Sequence, residues 1–108
     1  MIGVVHCVPA RLVVLEAPSG VAKADLPTCD DADDLFFDDK RNRIYVSCGP
    51  GLWTCSSRRP AKYVASAQTE TRPGARTSLF VSALDRLFVA ARAGSGGQSA
   101  ILVYQPAP

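Results

Sequence analysis

Seven of the ten acidic residues lie between positions 25 and 39: Asp25, Asp30, Asp31, Asp33, Asp34, Asp38 and Asp39. Hard cations such as Ca²⁺ take several carboxylate and carbonyl oxygens, and Asp30-Asp31-Ala32-Asp33-Asp34 supplies carboxylates densely. The spacing matches no EF-hand loop, which needs a central glycine and a terminal glutamate. Asp38 and Asp39 follow the apolar Leu35-Phe36-Phe37 and sit at the far end of that segment, outside the same set. The expectation is a solvated loop that delimits a strand.

Other chemistry is sparse. His6 is the single histidine, which removes any multi-histidine metal site. It adjoins Cys7, but neighbouring strand residues point to opposite faces and cannot form a nucleophile–base pair. No G-x-S-x-G elbow exists. Cys7, Cys29, Cys48 and Cys55 form no C-x-x-C pair, so a structural zinc site is not expected. Free, half-buried thiols are expected instead, with Cys48 and Cys55 close across Gly49-Pro50-Gly51. Arg58, Arg59 and Lys62 read as a solvated loop. The glycines at 94, 96 and 97 precede a strand rather than a helix, so they form no phosphate cradle.

The elements that carry these residues are short and β-rich, and no window sustains a helical period. The expected strands are Val4–Cys7, Arg11–Glu16, Val21–Leu26, Leu35–Phe37, Ile44–Cys48, Leu52–Cys55, Tyr63–Ala67, Leu79–Val81, Leu87–Ala90 and Ile101–Tyr104. Gly49-Pro50-Gly51 is the strongest turn signal. Two stretches nearly repeat. Leu35-Phe36-Phe37, a polar turn and Ile44-Tyr45-Val46 return as Leu79-Phe80-Val81, a second turn and Leu87-Phe88-Val89. From Leu35 to Leu79 is 44 positions, and from Ile44 to Leu87 is 43. Self-similar hairpins at an interval of roughly 40–50 residues are the signature of propeller blades.

The expected fold is therefore all-β: a partial β-propeller of about two to two and a half blades of antiparallel four-stranded sheets. Residues 1–28 supply the back strands of one blade, 29–71 a complete blade, and 72–108 a last blade lacking its outer strand. The innermost strands, Leu35–Phe37 and Leu79–Val81, are expected to be covered on both faces. Leu12–Leu15 takes third place in its blade and Val21–Leu26 fourth. The chain thus starts and stops inside blades, leaving cut faces and a strand edge.

Composition is that of an ordinary globular domain, with 47% hydrophobic and 20% charged residues. A net charge of +2 implies neither nucleic acid nor an anionic membrane as partner. No apolar run reaches the ~20 residues that cross a bilayer. The start of the chain lacks a basic segment, so a signal peptide is not expected and the compartment stays open.

Asp33-Asp34-Leu35-Phe36-Phe37-Asp38, with Arg43-Ile44-Tyr45-Val46-Ser47 after it, resembles the bacterial YVTN/NHL-type β-propeller proteins. Pro9 to Glu16 with Ser19-Gly20, and Gly74 to Val81 through Asp85 to Ala90, look like the same family. The resemblance spans almost the whole chain and implies the C-terminal portion of a longer ring. Members are usually several times longer, often with seven blades. Two departures stand out: Gly49 to Pro60 is less regular than a typical third strand and loop, and the last blade lacks an outer strand.

Aligning the repeats places Ala32, Asp33 and Asp34 on Arg76, Thr77 and Ser78, at the entrance to the innermost strands. In a closed ring that is the channel mouth, where ligands bind. Asp33, Asp34 and Arg76 are therefore the candidate ligand-facing residues, against a salt-bridged rim without a ligand. No catalytic residue and no cofactor are expected for this chain, although Ca²⁺ or another divalent metal is compatible with such carboxylates in a complete ring. The expected role is a non-catalytic scaffold or binding module. One alternative is part of a lactonase-like, metal-dependent hydrolase, with Asp33 or Asp34 holding the metal. Another is a small β-protein that self-associates through exposed blade faces and edges.

Overall fold

In the computed structural model, residues 2–7, 10–59, 62–94 and 97–107 are described. Among the described residues, ten strands form three antiparallel sheets. The first sheet orders β1 (Ile2–Cys7), β2 (Ala10–Leu15) and β3 (Ala22–Pro27). The second orders β4 (Ala32–Asp38), β5 (Arg43–Cys48), β6 (Leu52–Arg59) and β7 (Lys62–Glu70). The third holds β8 (Ser78–Val81), β9 (Arg86–Ala91) and β10 (Ala100–Tyr104), with a 3₁₀ turn over Ser82–Leu84 between β8 and β9. The expected loop ends at Pro60, Pro9, Ser95 and Gly96 lie outside the described residues.

The sheets pack in sequence, with β1 against β4, β4 against β8, and β3 against β7. Two apolar layers lie between them. Leu12, Val14 and Leu26 of the first sheet meet Ile44, Val46 and Cys48 of the second. Tyr45, Trp53 and Cys55, on the opposite face of the second sheet, meet Leu87, Val89 and Ala91 of the third. Alternate residues of β5 therefore serve different layers, and Ile44 to Cys48 are all buried. β9 is the same strand one repeat later, yet its burial alternates: Leu87, Val89 and Ala91 are buried, while Phe88 is half-buried and Ala90 exposed. A strand covered on both faces loses the alternation that a strand covered on one face keeps.

The strands expected to be covered on both faces are not. β4 is mostly half-buried and Leu79 of β8 is 56% exposed. Complete burial falls on the central strand β5 instead, because it has a strand on each side and a sheet on each face. β2, expected in third place, is the middle strand of its sheet and packs opposite β5. The polar run after Cys55 does not leave the sheet. Ser56 to Arg59 continue β6 and pair with Lys62 to Ala65 after a bulge at Cys55/Ser56, because β7 gives their backbone groups a ladder.

Register also refines the repeat. Phe36 pairs with Tyr45, and Leu79 with Phe88. A single interval of 43 positions therefore superposes both hairpins, placing Leu79 on Phe36 rather than on Leu35. Asn42 and Asp85, also 43 apart, each close their turn in the left-handed region at φ 53° and 55°, a conformation that Asn and Asp tolerate best among non-glycine residues.

The cysteines depart from expectation too. Cys29, in the loop before β4, is bonded to Cys48 at the end of β5, with Cα atoms 6.0 Å apart. Cys48 faces the first layer with Cys29, whereas Cys55 faces the second and is a free, buried thiol. Facing opposite sides of one sheet, Cys48 and Cys55 cannot meet. The side chain of Cys7 lies outside the described part, as does that of His6.

Candidate functional site

The candidate residues gather where β4, β5 and β8 begin or end. β4 opens on a bulge, with Ala32 opposite Cys48 and Asp34 opposite Ser47, which leaves Asp33 as the extra, exposed residue. Asp34 turns inward, and its Oδ2 accepts the Ser78 backbone N–H at 2.8 Å. The Ser47 hydroxyl donates to the Arg76 carbonyl at 2.6 Å and lies 2.8 Å from the Ser78 hydroxyl. Arg76 Nη2 reaches Asp31 Oδ2 at 2.9 Å, both side chains being nearly half exposed.

Glycine makes this knot possible. Gly49 donates its N–H to the Asp31 carbonyl and accepts from Gly74 N–H at its own carbonyl. A Cβ on Gly49 would fall 2.0 Å from Asp31 Oδ2 and 3.1 Å from Arg76 Nη2. Close approach of the Asp31 side chain, rather than an unusual φ, is what crowds a side chain there.

Asp34 and Arg76 therefore sit in one polar cluster, but not with carboxylates aimed at a common point. Asp34 is spent on a backbone N–H, Arg76 on Asp31, and Asp33 projects outward from the bulge. The 43-residue register also places Asp33 on Arg76 and Asp34 on Thr77, one position off the expected alignment. The Arg76 guanidinium pairs with the Asp31 carboxylate of this set. Among the described residues, no group of three or more His, Cys, Asp or Glu side chains is arranged to hold a metal ion.

Asp38, set aside in the sequence as too distant, anchors a second cluster at the other end of the strands. Its carboxylate is 2% exposed and accepts Tyr45 Oη–H at 2.6 Å and Arg41 Nη1–H at 3.1 Å. Arg41 continues to Asp85 with two bonds of 2.9 and 2.8 Å, and Lys40 adds a contact of 3.2 Å. Arg41, then Lys40, holds the Asp85 carboxyl well below the usual carboxylate range. Burial, reinforced by the Asp38 carboxylate, pushes the Tyr45 hydroxyl above its ordinary value. The cluster joins the turn of the second sheet to the turn of the third, and every group in it has a structural partner.

Two clefts were not foreseen. One, of about 780 Å³, lies beside Arg76 between Thr77, Arg92, Ala100 and Ile101. The other, of about 520 Å³, is framed by Trp53, Cys55, Ala67, Tyr104 and Pro106. Trp53 is 8% exposed and stacks edge-on with Tyr45 and Tyr104, while its Nε1–H has no acceptor. The aromatic residues carried no periodic signal that could have announced this cleft, since they come from three separate strands.

Compared with known proteins, the chain matches no family model, no curated protein and no solved structure.

The third sheet also presents an outer face. Pairing puts Leu79 beside Phe88, Phe88 beside Val103, and Ala90 beside Ile101 on the outer side of the third sheet. Leu79, Ile101 and Val103 are 56%, 62% and 56% exposed.

Proposed function

We infer that the chain is a non-catalytic β-propeller segment that serves as a binding scaffold, and that the outer face of its third sheet is the working surface. The observation that carries this reading is the exposure of Leu79, Ile101 and Val103, with half-buried Phe88 between them, on strands whose equivalents one repeat earlier carry the buried Tyr45, Trp53 and Cys55. The 43-residue repeat and the contacts of β1 with β4 and β4 with β8 support a blade-like stack, in which each sheet is completed by the next. The resemblance to the YVTN/NHL-type propellers points the same way. Of the two carboxylates the hydrolase alternative would use, Asp34 is engaged by the Ser78 N–H and Asp33 stands exposed on the bulge. The Cys29–Cys48 bond suits an oxidising compartment.

The test is the binding of a hydrophobic dye, anilinonaphthalene sulfonate, to the full chain in dilute solution. Dye should bind while the near-ultraviolet signal of Trp53, Tyr45 and Tyr104 is retained. The double variant Ile101→Asp, Val103→Asp should lose most of the binding. A folded chain of single-chain mass that takes up no dye would refute the reading.

A further inference from the structure

We propose that the apolar face of the third sheet is covered by the first sheet of a second copy of this chain, packed head to tail. The interface between the second and third sheets continues onto this face residue by residue. Followed across the cross-strand pairs, Phe36, Tyr45, Trp53 and Cys55 superpose on Leu79, Phe88, Ile101 and Val103. Tyr45, Trp53 and Cys55 are buried under Leu87, Val89 and Ala91 of the following sheet, with Phe36 packed against them. Their counterparts end the stack and await a face of the same kind.

The chain carries one such face. In each covering sheet a middle strand presents apolar residues at alternate positions backward: Ile44, Val46 and Cys48 from β5, then Leu87, Val89 and Ala91 from β9. β2 has the same design. Its forward residues Leu12 and Val14 are buried in the first layer, so Val13 and Leu15 point backward and lie half-buried at the opposite end of the stack. Arg11 and Asp25 pair beside them at 2.9 Å and keep that face free of unpaired charge near Val13.

Head and tail are different surfaces, so the contact is heterologous, and such contacts close into rings or run on as filaments. Two copies bring six sheets, within the four to eight of closed propeller rings. The expected species is therefore a closed dimer with two identical head-to-tail contacts. That stoichiometry rests on the blade-like reading above, whereas the matching of the two faces rests on register and burial alone.

Light scattering on the full chain after size exclusion tests the idea. The expected mass is twice the 11.5 kDa of one chain. Ile101→Asp with Val103→Asp on the head, or Val13→Lys on the tail, should each give the single-chain mass. Val13→Lys sets its charge opposite Asp25 on β3 and so suits a folded monomer. Mixing the head and tail variants should restore the doubled mass, because one contact of the pair is then wild type on both sides. That rescue also excludes simple misfolding of either variant.

A single-chain mass for the wild type at all concentrations overturns the proposal. If that monomer still binds the dye, the scaffold reading survives without it; if it does not, both fail. An unchanged dimer in Val13→Lys overturns the head-to-tail assignment in favour of face-to-face pairing of third sheets. A ladder of masses above the dimer overturns closure.

Discussion

Breaking the Cys29–Cys48 bond should cost this chain a large part of its stability. The bond spans a sequence separation of 19 and ties the loop before β4 to the end of β5. In the chain-entropy account, closing a loop of that length removes about 3 kcal/mol of freedom from the unfolded chain at 25 °C. Typical domains are stable by only about 5–15 kcal/mol, so the loss is severe. For a domain of this size it corresponds to a fall of roughly 12–24 °C in Tm. Cys48 is fully buried and Cys29 nearly so, which makes Cys→Ala at both positions the cleaner perturbation, since serine would add an unpaired hydroxyl. The assay is thermal unfolding followed by near-ultraviolet circular dichroism, with and without a phosphine reductant, on the wild type and the double variant. Alkylation of the unfolded, unreduced chain supplies the covalent check and should spare Cys29 and Cys48. The reasoning fails if both thiols are labelled without reductant, or if reduction leaves Tm unchanged.

Four further outcomes follow from the two polar clusters and the turns. Tyr45→Phe removes a 2.6 Å hydrogen bond to the buried Asp38 carboxylate, and should cost about 1–3 kcal/mol in chemical denaturation. The hydroxyl of Tyr45 titrates above its ordinary value in the folded state, so its contribution is complete below the unfolded value of about 10 and is lost as pH rises further. Spectrophotometric titration should accordingly show Tyr45 ionising late, alongside Tyr104, which burial also raises, and Tyr45→Phe should remove one tyrosine from that late step. Asp85 behaves with the opposite sign: its folded value is lowered by Arg41 and Lys40, so its contribution is present above about pH 4 and falls away in acid. Asp85→Asn should flatten that acid slope. Gly51→Ala should destabilise more than Gly49→Ala. At Gly51 φ is 102° and the new Cβ would lie 2.5 Å from the Arg72 backbone, whereas at Gly49 the obstacle is the Asp31 carboxylate, which can swing aside and give up its exposed pair with Arg76.

Much of the fold was legible because strands and turns are local events. Ile44-Tyr45-Val46, Leu87-Phe88-Val89 and Gly49-Pro50-Gly51 announce themselves within a few residues, and all ten expected strands have counterparts. What matched by eye could still slip by one: Leu35 and Leu79 share a residue type, but cross-strand pairing superposes Leu79 on Phe36. A one-residue shift exchanges the faces of a strand, and it also moved Asp33 and Asp34 against Arg76 and Thr77. The site was legible only as a neighbourhood. Spacing could bring Asp34 and Arg76 to one end of the sheets, but not reveal that Asp34 would bond the Ser78 N–H or that Asp31 would take the guanidinium.

By itself, then, the sequence determined an all-β chain, the positions of its hairpins and a repeat near 43 residues, since these depend on side-chain alternation and turn chemistry along a few bonds. The tertiary structure decided which thiols meet, which carboxylates are occupied and which face stays bare. Cys29 pairs with Cys48 and not Cys55 with Cys48 because the pleat sends Cys48 and Cys55 to opposite layers. Tyr45 is buried and its repeat partner Phe88 is only half-buried because a third sheet covers the one and none among the described residues covers the other. Aromatic residues at these equivalent positions differ in exposure through what packs above them, and that is a relation between sheets which no stretch of chain carries alone.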